Sequence, residues 1–312
     1  DRRIQHLDAT RLHLELAELF PSFVADLALN LPESGNGLPD VVNEALFNLD
    51  GYRRMQTPQG GIRGGIESSQ HPAGGECSWQ ESQTIMAYKP CLWSSHVYAG
   101  VAARAARVLR PIDADRSAVY AHSALRAMQW AEAEYADWPH RPEYRRVRES
   151  ARQRVEDDRT LAALELYCLA HDAMWHDLYR AAVQADSRAA QPSPRRRDAL
   201  FLYARLEQKL ADAALQQVAR DLCIELADRG IRFQQGNAWL LASADEHCMP
   251  NLGFYTVPGA IELIRGHALS GDEQYLRAAV QAALFGAGAN PMNLCMTTGV
   301  GHDYPRNPMH LD

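Results

Sequence analysis

The sequence predicts an all-α fold built from helical hairpins. Three observations carry that prediction. Apolar residues recur at the i, i+3, i+4 spacing of helices along most of the 312 residues. Pairs of such stretches are joined by short polar turns, at His171-Asp172 and at Ser270-Gly271-Asp272. Strand-like alternation is almost absent, the short exception lying near Ile231–Phe233. A chain of hairpins without a sheet forms a bundle, a solenoid or a closed toroid of paired helices. Strict repeat identity is missing, which counts against the solenoid.

Residues 4–20 carry Leu12, Leu16, Leu19 and Phe20 toward one side, and Pro21 breaks the run. Residues 39–56 repeat the pattern with Val42, Ala45, Leu46, Leu49 and Met55. Pro39 suits a first helical turn, and Thr57-Pro58 ends the helix. Asp40 and Glu44 fall on its first turns, where acids complement the helix dipole. Residues 59–92 are rich in Gly, Ser and Pro and show no period; long loops in compact domains are usually functional or disordered, and Trp79, Tyr88 and the following Trp93 favour function.

Ser94 is placed to cap the next helix, which carries Tyr98, Val101, Ala102, Ala105, Val108 and Leu109 and stops at Pro111. Ala121, Leu125, Met128, Ala131 and Tyr135 mark another. Residues 137–157 are Arg-rich, but Glu143, Glu149, Glu156, Asp157 and Asp158 offset the charge, so a solvated face is expected over an anion-binding one. Leu161, Leu164, Tyr167 and Cys168, then Leu178, Tyr179 and Ala182, give the first hairpin. Ile261, Ile264 and Ala268, then Leu276, Ala279, Val280, Ala283 and Leu284, give the second, with Gly271 suited to a left-handed helix end. Between them, Gln191–Pro194 and Arg195–Arg197 read as an exposed connection, helix follows to about Ala227, and residues 229–252 read as irregular.

The composition, 46% hydrophobic and 23% charged, is that of a globular chain. A net charge of −7 argues against a nucleic-acid partner, which calls for a basic footprint. No run of about 18 apolar residues is present, so no membrane span is expected. Six cysteines stand far apart without a CxxC pair, which argues against zinc or redox chemistry. Buried free thiols are expected, with a Cys77–Cys91 bridge left open. Histidine spacing fits no HExxH site, and neither GxSxG nor GxxxxGK[ST] occurs, so no metal ligand set is assigned and no cofactor is expected.

Glu76 and Glu81, beside Trp79, are a carboxylate pair suited either to acid–base work or to plain solvation. The stretch from Gly288 to the end mixes Gly, Asn, Pro, His and Tyr after a helix, as ligand-binding loops do. Candidate substrate-binding residues are Trp79, Trp93, His302, Asp303, Arg306 and His310. The tryptophans offer stacking platforms for sugar rings or simply pack the loop on the core. Arg306 offers a hydroxyl contact or a surface ion pair, Asp303 a polar contact or a turn residue beside Gly301, and the histidines site contacts or loop hydrogen bonds.

Several stretches together resemble glycoside hydrolase family 9, the inverting cellulase family. They are Glu18-Leu-Phe-Pro21, Leu31-Pro-Glu-Ser-Gly-Asn-Gly-Leu-Pro-Asp40, Leu49-Asp50 and Met55-Gln56. Pro90–Ser95 resembles the family's next loop-to-helix junction, and Gly288–Pro291, Thr297–Gly301 and Pro305–Pro308 its late LGRNP, VTGFG and proline run. The resemblance covers nearly the whole chain and is weakest in the middle third. It implies an (α/α)6 barrel, a toroid of helical hairpins, here incomplete. It implies one catalytic domain over residues 1–312, cropped at both edges, and a β-linked glucan or related oligo- or polysaccharide as substrate.

The mechanism it implies is inversion: one carboxylate activates water while a second carboxylic acid protonates the leaving oxygen. The family's base lies in a DAGD motif and its acid is a late Glu. By position these are expected upstream of Asp1 and downstream of Asp312, so no catalytic residue is assigned within the chain. Where the family reads P-H-H-R, this chain reads Pro308-Met309-His310-Leu311, a departure that opens the alternative of a carbohydrate-binding or scaffold barrel without catalysis. The resemblance also implies a secreted or periplasmic location. Family members often carry structural calcium, but no loop here is dense enough in acids to place one.

Overall fold

A computed structural model describes residues 4–70, 83–185, 191–245 and 260–306. The chain divides into two units, Asp1–Arg196 and Arg197–Leu311. The first opens with a 3-10 turn at Ile4–His6, then α1 (Leu7–Leu19), α2 (Pro21–Asp26) and α3 (Asp40–Arg54). A small hairpin, β1 (Ile66–Ser68) and β2 (Ile85–Ala87), precedes α4 (Leu92–Leu109), α5 (Ala114–Asp137), α6 (Glu149–Ala170) and α7 (Ala173–Ala185). α8 (Pro194–Ala204) begins at the end of this unit, and the second unit continues with α9 (Ala213–Gln235), α10 (Ala260–Ser270) and α11 (Glu273–Gly286).

Helix α4 is the centre of the first unit. Every residue from Ser94 to Ala106 is buried, as an Ala-rich helix without a wide polar face should be. Helices α1, α3, α5 and α6 pack around it. A Cβ at Gly100 would lie 3.2 Å from the Cα of Ala162, so small residues on both helices let α4 and α6 cross closely. In the second unit α9, α10 and α11 share a core of Ala227, Leu263, Tyr275, Ala278 and Ala282. There Gly266 faces Ala227, where a Cβ would approach to 2.6 Å and force the helices apart.

Both predicted hairpins are present. His171, at φ 56°, ends α6 in the left-handed region, and Gly271, at φ 72°, does the same for α10. Several local expectations are corrected. Pro21 opens a second helix, as a proline at a first helical position can. The buried side of α1 is Leu7, Thr10, Arg11, Leu14, Glu15 and Ala17, while Leu12 and Phe20 are exposed. The reason is electrostatic: Glu15 is drawn inward by Arg104 of α4. In α11 the buried stripe is Tyr275, Ala278, Ala279, Ala282 and Phe285, leaving Leu276, Val280 and Leu284 exposed. The residues Ile231–Phe233 lie inside α9, which runs to Gln235 and shortens the expected irregular stretch. The paired strands sit instead in the long loop, in register Ile66 to Ala87 and Ser68 to Ile85. Cys91, not Ser94, is the N-cap of α4, its sulfur accepting from the Ser94 N–H at 3.5 Å. Cys91, Cys168, Cys223 and Cys295 are free thiols, and Cys77 lies outside the described residues.

The turn before α3 is closed by its own side chains. Oδ2 of Asp40 accepts from the Leu29 N–H and the Ser34 hydroxyl, both at 2.8 Å. Asn36 donates to Asn43 Oδ1 at 2.9 Å, and Asn43 donates back to Asn36 Oδ1 at 3.2 Å. Gly35 and Gly37 hold φ of 88° and 93°, a region open to glycine at little cost. At the other end of α3, Gln56 bonds Gly60 O and Ser123 O and accepts from the Ser123 hydroxyl at 2.8 Å. Ser123 has then spent its only proton, so the Tyr98 hydroxyl at 2.8 Å is its donor.

Candidate functional site

The roots of the long loop and the first turns of α4 come together in the first unit. The Ile62 N–H donates to Ser95 Oγ at 2.9 Å, and Arg63 donates to Tyr88 O at 3.1 Å. Gly64 lies against Ser94, where a Cβ would come within 2.5 Å of Oγ, and Gly61 lies against Trp130 and Pro90. The Gly-rich run is thus required by close backbone approach to α4 and α5.

Trp93 stands half-buried on that first turn of α4. Its indole N–H donates to Asp158 Oδ2 at 2.7 Å, and the Arg154 guanidinium lies 5.1 Å from the ring centre. The other oxygen of Asp158 meets Arg195 Nε at 2.7 Å, and Arg195 also pairs with Asp8. The neighbouring Asp157 accepts from Ser193 at 2.7 Å and Arg196 at 3.0 Å. Asp157 and Asp158 are therefore buried partners, not the solvated charges expected, and Arg196 and Arg197 are buried as well, not part of an exposed connection. Arg197 pairs with Asp245 in the second unit.

One turn along α4 from Trp93 stands His96, fully buried. Its Nε2 is 3.1 Å from Glu132 Oε1 on α5. Glu132 accepts two further bonds from Arg159 of α6, at 2.7 and 2.6 Å. That guanidinium lies 4.2 Å from the Tyr135 ring centre, and the Tyr135 hydroxyl donates to Glu156. Burial of Glu132 opposes its ionisation, but the bonds from His96 and Arg159 prevail and bring its pKa down to about 2. Burial pushes His96 below the ordinary histidine value, so its ring is neutral. Burial also pushes Asp158 up to about 6, against the pull of Arg195 and the Trp93 bond. The result is a half-buried aromatic fixed by a carboxylate of raised proton affinity, beside the bonded chain His96–Glu132–Arg159.

Deeper along α4 lies a second ionic cluster. Arg104 meets Glu15 at 3.0 Å and Glu165 at 2.7 Å, and Arg107 meets Glu18 at 2.7 Å and Glu165 at 2.9 Å. It pins α1 and α6 to α4. Among the described residues, no group of three or more His, Cys, Asp or Glu is arranged to hold a metal ion.

Of the residues expected to bind substrate, Trp93 lies on the first turn of α4, bonded to Asp158. Trp79 and His310 lie outside the described residues, as do Glu76, Glu81 and Met309. His302, Asp303 and Arg306 lie on the loop after α11. His302 is fully exposed, 3.8 Å from Asp303, and Arg306 turns over the Tyr304 ring at 5.3 Å. The Asp303 carbonyl accepts from the Cys295 N–H at 2.8 Å. Asn290 holds the start of this loop through bonds to Phe285 O and Leu294 O. Asp158, Glu132, His96 and Arg195 were not foreseen as site residues. Their only local trace is the adjacent acid pair at 157–158 on a helix whose following turns are apolar.

Residues 78–311 match the family model for Glycosyl hydrolase family 9. The chain is 25% identical over 305 residues to Endoglucanase D of Acetivibrio thermocellus, covering 93% of this chain and 47% of that protein. It thus spans about half the length of the curated relatives it matches. A metagenome-derived family 9 endoglucanase superposes with a TM-score of 0.82 at 25% identity, over 98% of this chain and 57% of that one. Endoglucanase CelQ of Clostridium thermocellum, solved with cellotriose, superposes with a TM-score of 0.70 at 14% identity, over 100% of this chain and 52% of that one. The helical fold is that of these hydrolase structures. Among the described residues, no helix is long and apolar enough to cross a membrane.

Proposed function

The chain belongs to glycosyl hydrolase family 9, and from that premise we propose that it forms part of a glycosidase cleaving a β-linked glucan or a related oligosaccharide with inversion. The observation that carries this reading is the family match over residues 78–311, supported by a relative described as an endoglucanase and a structural neighbour that holds cellotriose. In this reading both units belong to one (α/α)6 catalytic domain. The base and acid come from sequence flanking residues 1–312, and the protein acts outside the cytoplasm.

Trp93 serves as a sugar platform on the first turn of α4. Its N–H is fixed by Asp158, so the ring keeps one orientation and loses little freedom when a sugar stacks on it. His302, Asp303 and Arg306 supply polar contacts from the late loop, with Trp79 and His310 completing the set. Inverting hydrolysis needs the two carboxyl groups ~6.5–9.5 Å apart, with the attacking water between them.

The test is incubation of the protein, with its flanking sequence, with a panel of β-linked gluco-oligosaccharides. Reducing-end release and the anomeric configuration of the first product are followed by NMR. Cleavage giving the α-anomer is expected; retention or no interaction with any sugar overturns the proposal. A second reading, a sugar-binding barrel without catalysis, draws on Met309 and Leu311 in place of the family's His and Arg. It predicts saturable binding without release.

A further inference from the structure

We propose that the interior of the first unit holds a single structural water molecule between His96 and Asp158, bridging the support of Trp93 to the Glu132–Arg159 pair. A cavity of about 10 Å³ lies between α1, α4 and α6, and Asp8, Arg11, His96, Asp158, Glu165 and Arg195 contribute to its lining. A space of this size holds about one water.

The argument starts from the imidazole. His96 is 0% exposed, so a charged ring would be heavily penalised. Its Nε2 faces Glu132, which also takes both bonds of a bidentate Arg159 and is therefore an ionised, acceptor-only group. Nε2 must then carry the ring proton. Nδ1 is left as a bare lone pair, and this buried atom has no hydrogen-bond partner among the described residues. An unsatisfied buried acceptor costs ~1–3 kcal/mol, so a donor is called for. His96 lines the cavity, whereas Glu132, on its Nε2 side, does not.

The lining selects the occupant. Arg11 and Arg195 in the lining disfavour a metal cation, and Asp8, Asp158 and Glu165 disfavour an anion. Water meets both: it donates to His96 Nδ1 and to a carboxylate, and accepts from a guanidinium. Asp158 then faces Trp93 on one side and the water on the other.

Crystallography at high resolution and NMR of the wild-type chain test this. The expected result is one density peak within ~2.7–3.2 Å of His96 Nδ1, with ¹⁵N shifts showing a proton on Nε2 and an acceptor at Nδ1. A cavity without density, or a proton on Nδ1, overturns the proposal. In His96→Phe the peak should vanish while the Trp93–Asp158 bond persists. A peak unchanged in that variant would show that His96 does not hold it.

Discussion

The indole N–H of Trp93 donates to Oδ2 of Asp158 across 2.7 Å, joining residues 65 positions apart and fastening the first turn of α4 to α6. Arg195 occupies the other oxygen of the same carboxylate. One buried acid therefore orients an aromatic ring with one oxygen and holds a cation with the other. Hydrogen bonds to charged groups contribute ~1.5–3 kcal/mol. A double-mutant cycle of Trp93→Phe and Asp158→Asn should return a coupling in that range by chemical denaturation. A coupling near zero would remove Asp158 from the support of Trp93.

Stability against pH should carry two opposing contributions. Asp158 is raised to about 6 by burial, so between ~4 and 6 the folded chain holds a proton that the unfolded chain has released. Its contribution to stability therefore falls as pH rises through that window. His96 is lowered, so the unfolded chain takes up its proton first, and stability is lost as pH falls below ~6.5. Asp158→Asn removes the first contribution. The variant should lose stability on acidification from pH 6 to 4 more steeply than the wild type, by up to ~1.4 kcal/mol per pH unit. Parallel curves from denaturation at a series of pH values would contradict this.

Arg104, 0% exposed, neutralises Glu15 and Glu165 in the interior. Arg104→Met leaves buried carboxylates short of a partner and should cost ~3–5 kcal/mol, the usual penalty for breaking a buried pair from one side. Removing Glu165 as well, in Arg104→Met/Glu165→Leu, should recover part of that loss. The comparison reads the stranded charge, because both variants lose the same arginine.

Gly60 and Gly35 both hold positive φ, 111° and 88°, but their surroundings differ. A Cβ at Gly60 would sit 2.5 Å from the Arg126 carbonyl oxygen, whereas one at Gly35 meets nothing within 4 Å. Gly35→Ala should cost only the backbone term, ~1–2 kcal/mol. Gly60→Ala adds a collision with main chain and should cost clearly more. Thermal melting of the two variants under one buffer distinguishes them, and equal shifts would refute the crowding argument.

What the sequence revealed depended on how local each signal was. The helical pairs were legible because the apolar spacing and the turn at Gly271 lie within a few residues of each other. The buried face of α1 was not, because Arg11 and Glu15 look like surface residues. Glu15 is inside because Arg104 waits for it 89 positions away. The β1–β2 pairing is not legible because each strand is three residues long and contains no buried residue, so neither shows an alternating face. The family resemblance rested on turn motifs, which are local, and the comparisons bear it out. The support of Trp93 rests on Asp158, Arg195 and Asp8, and no short window of sequence contains them.

The turn before α3 has a consequence for the order in which the chain gains structure. The bonds of Leu29, Ser34, Asn36, Asp40 and Asn43 all close within fifteen residues. Contacts so short in sequence demand little loop-closure entropy. Helix α3 can thus acquire its starting point while α4 is still unmade, presenting Leu46 and Leu49 as a seam on which later segments condense. In kinetic experiments, Ser34→Ala should slow refolding more than it speeds unfolding, marking this segment as an early piece of the transition state.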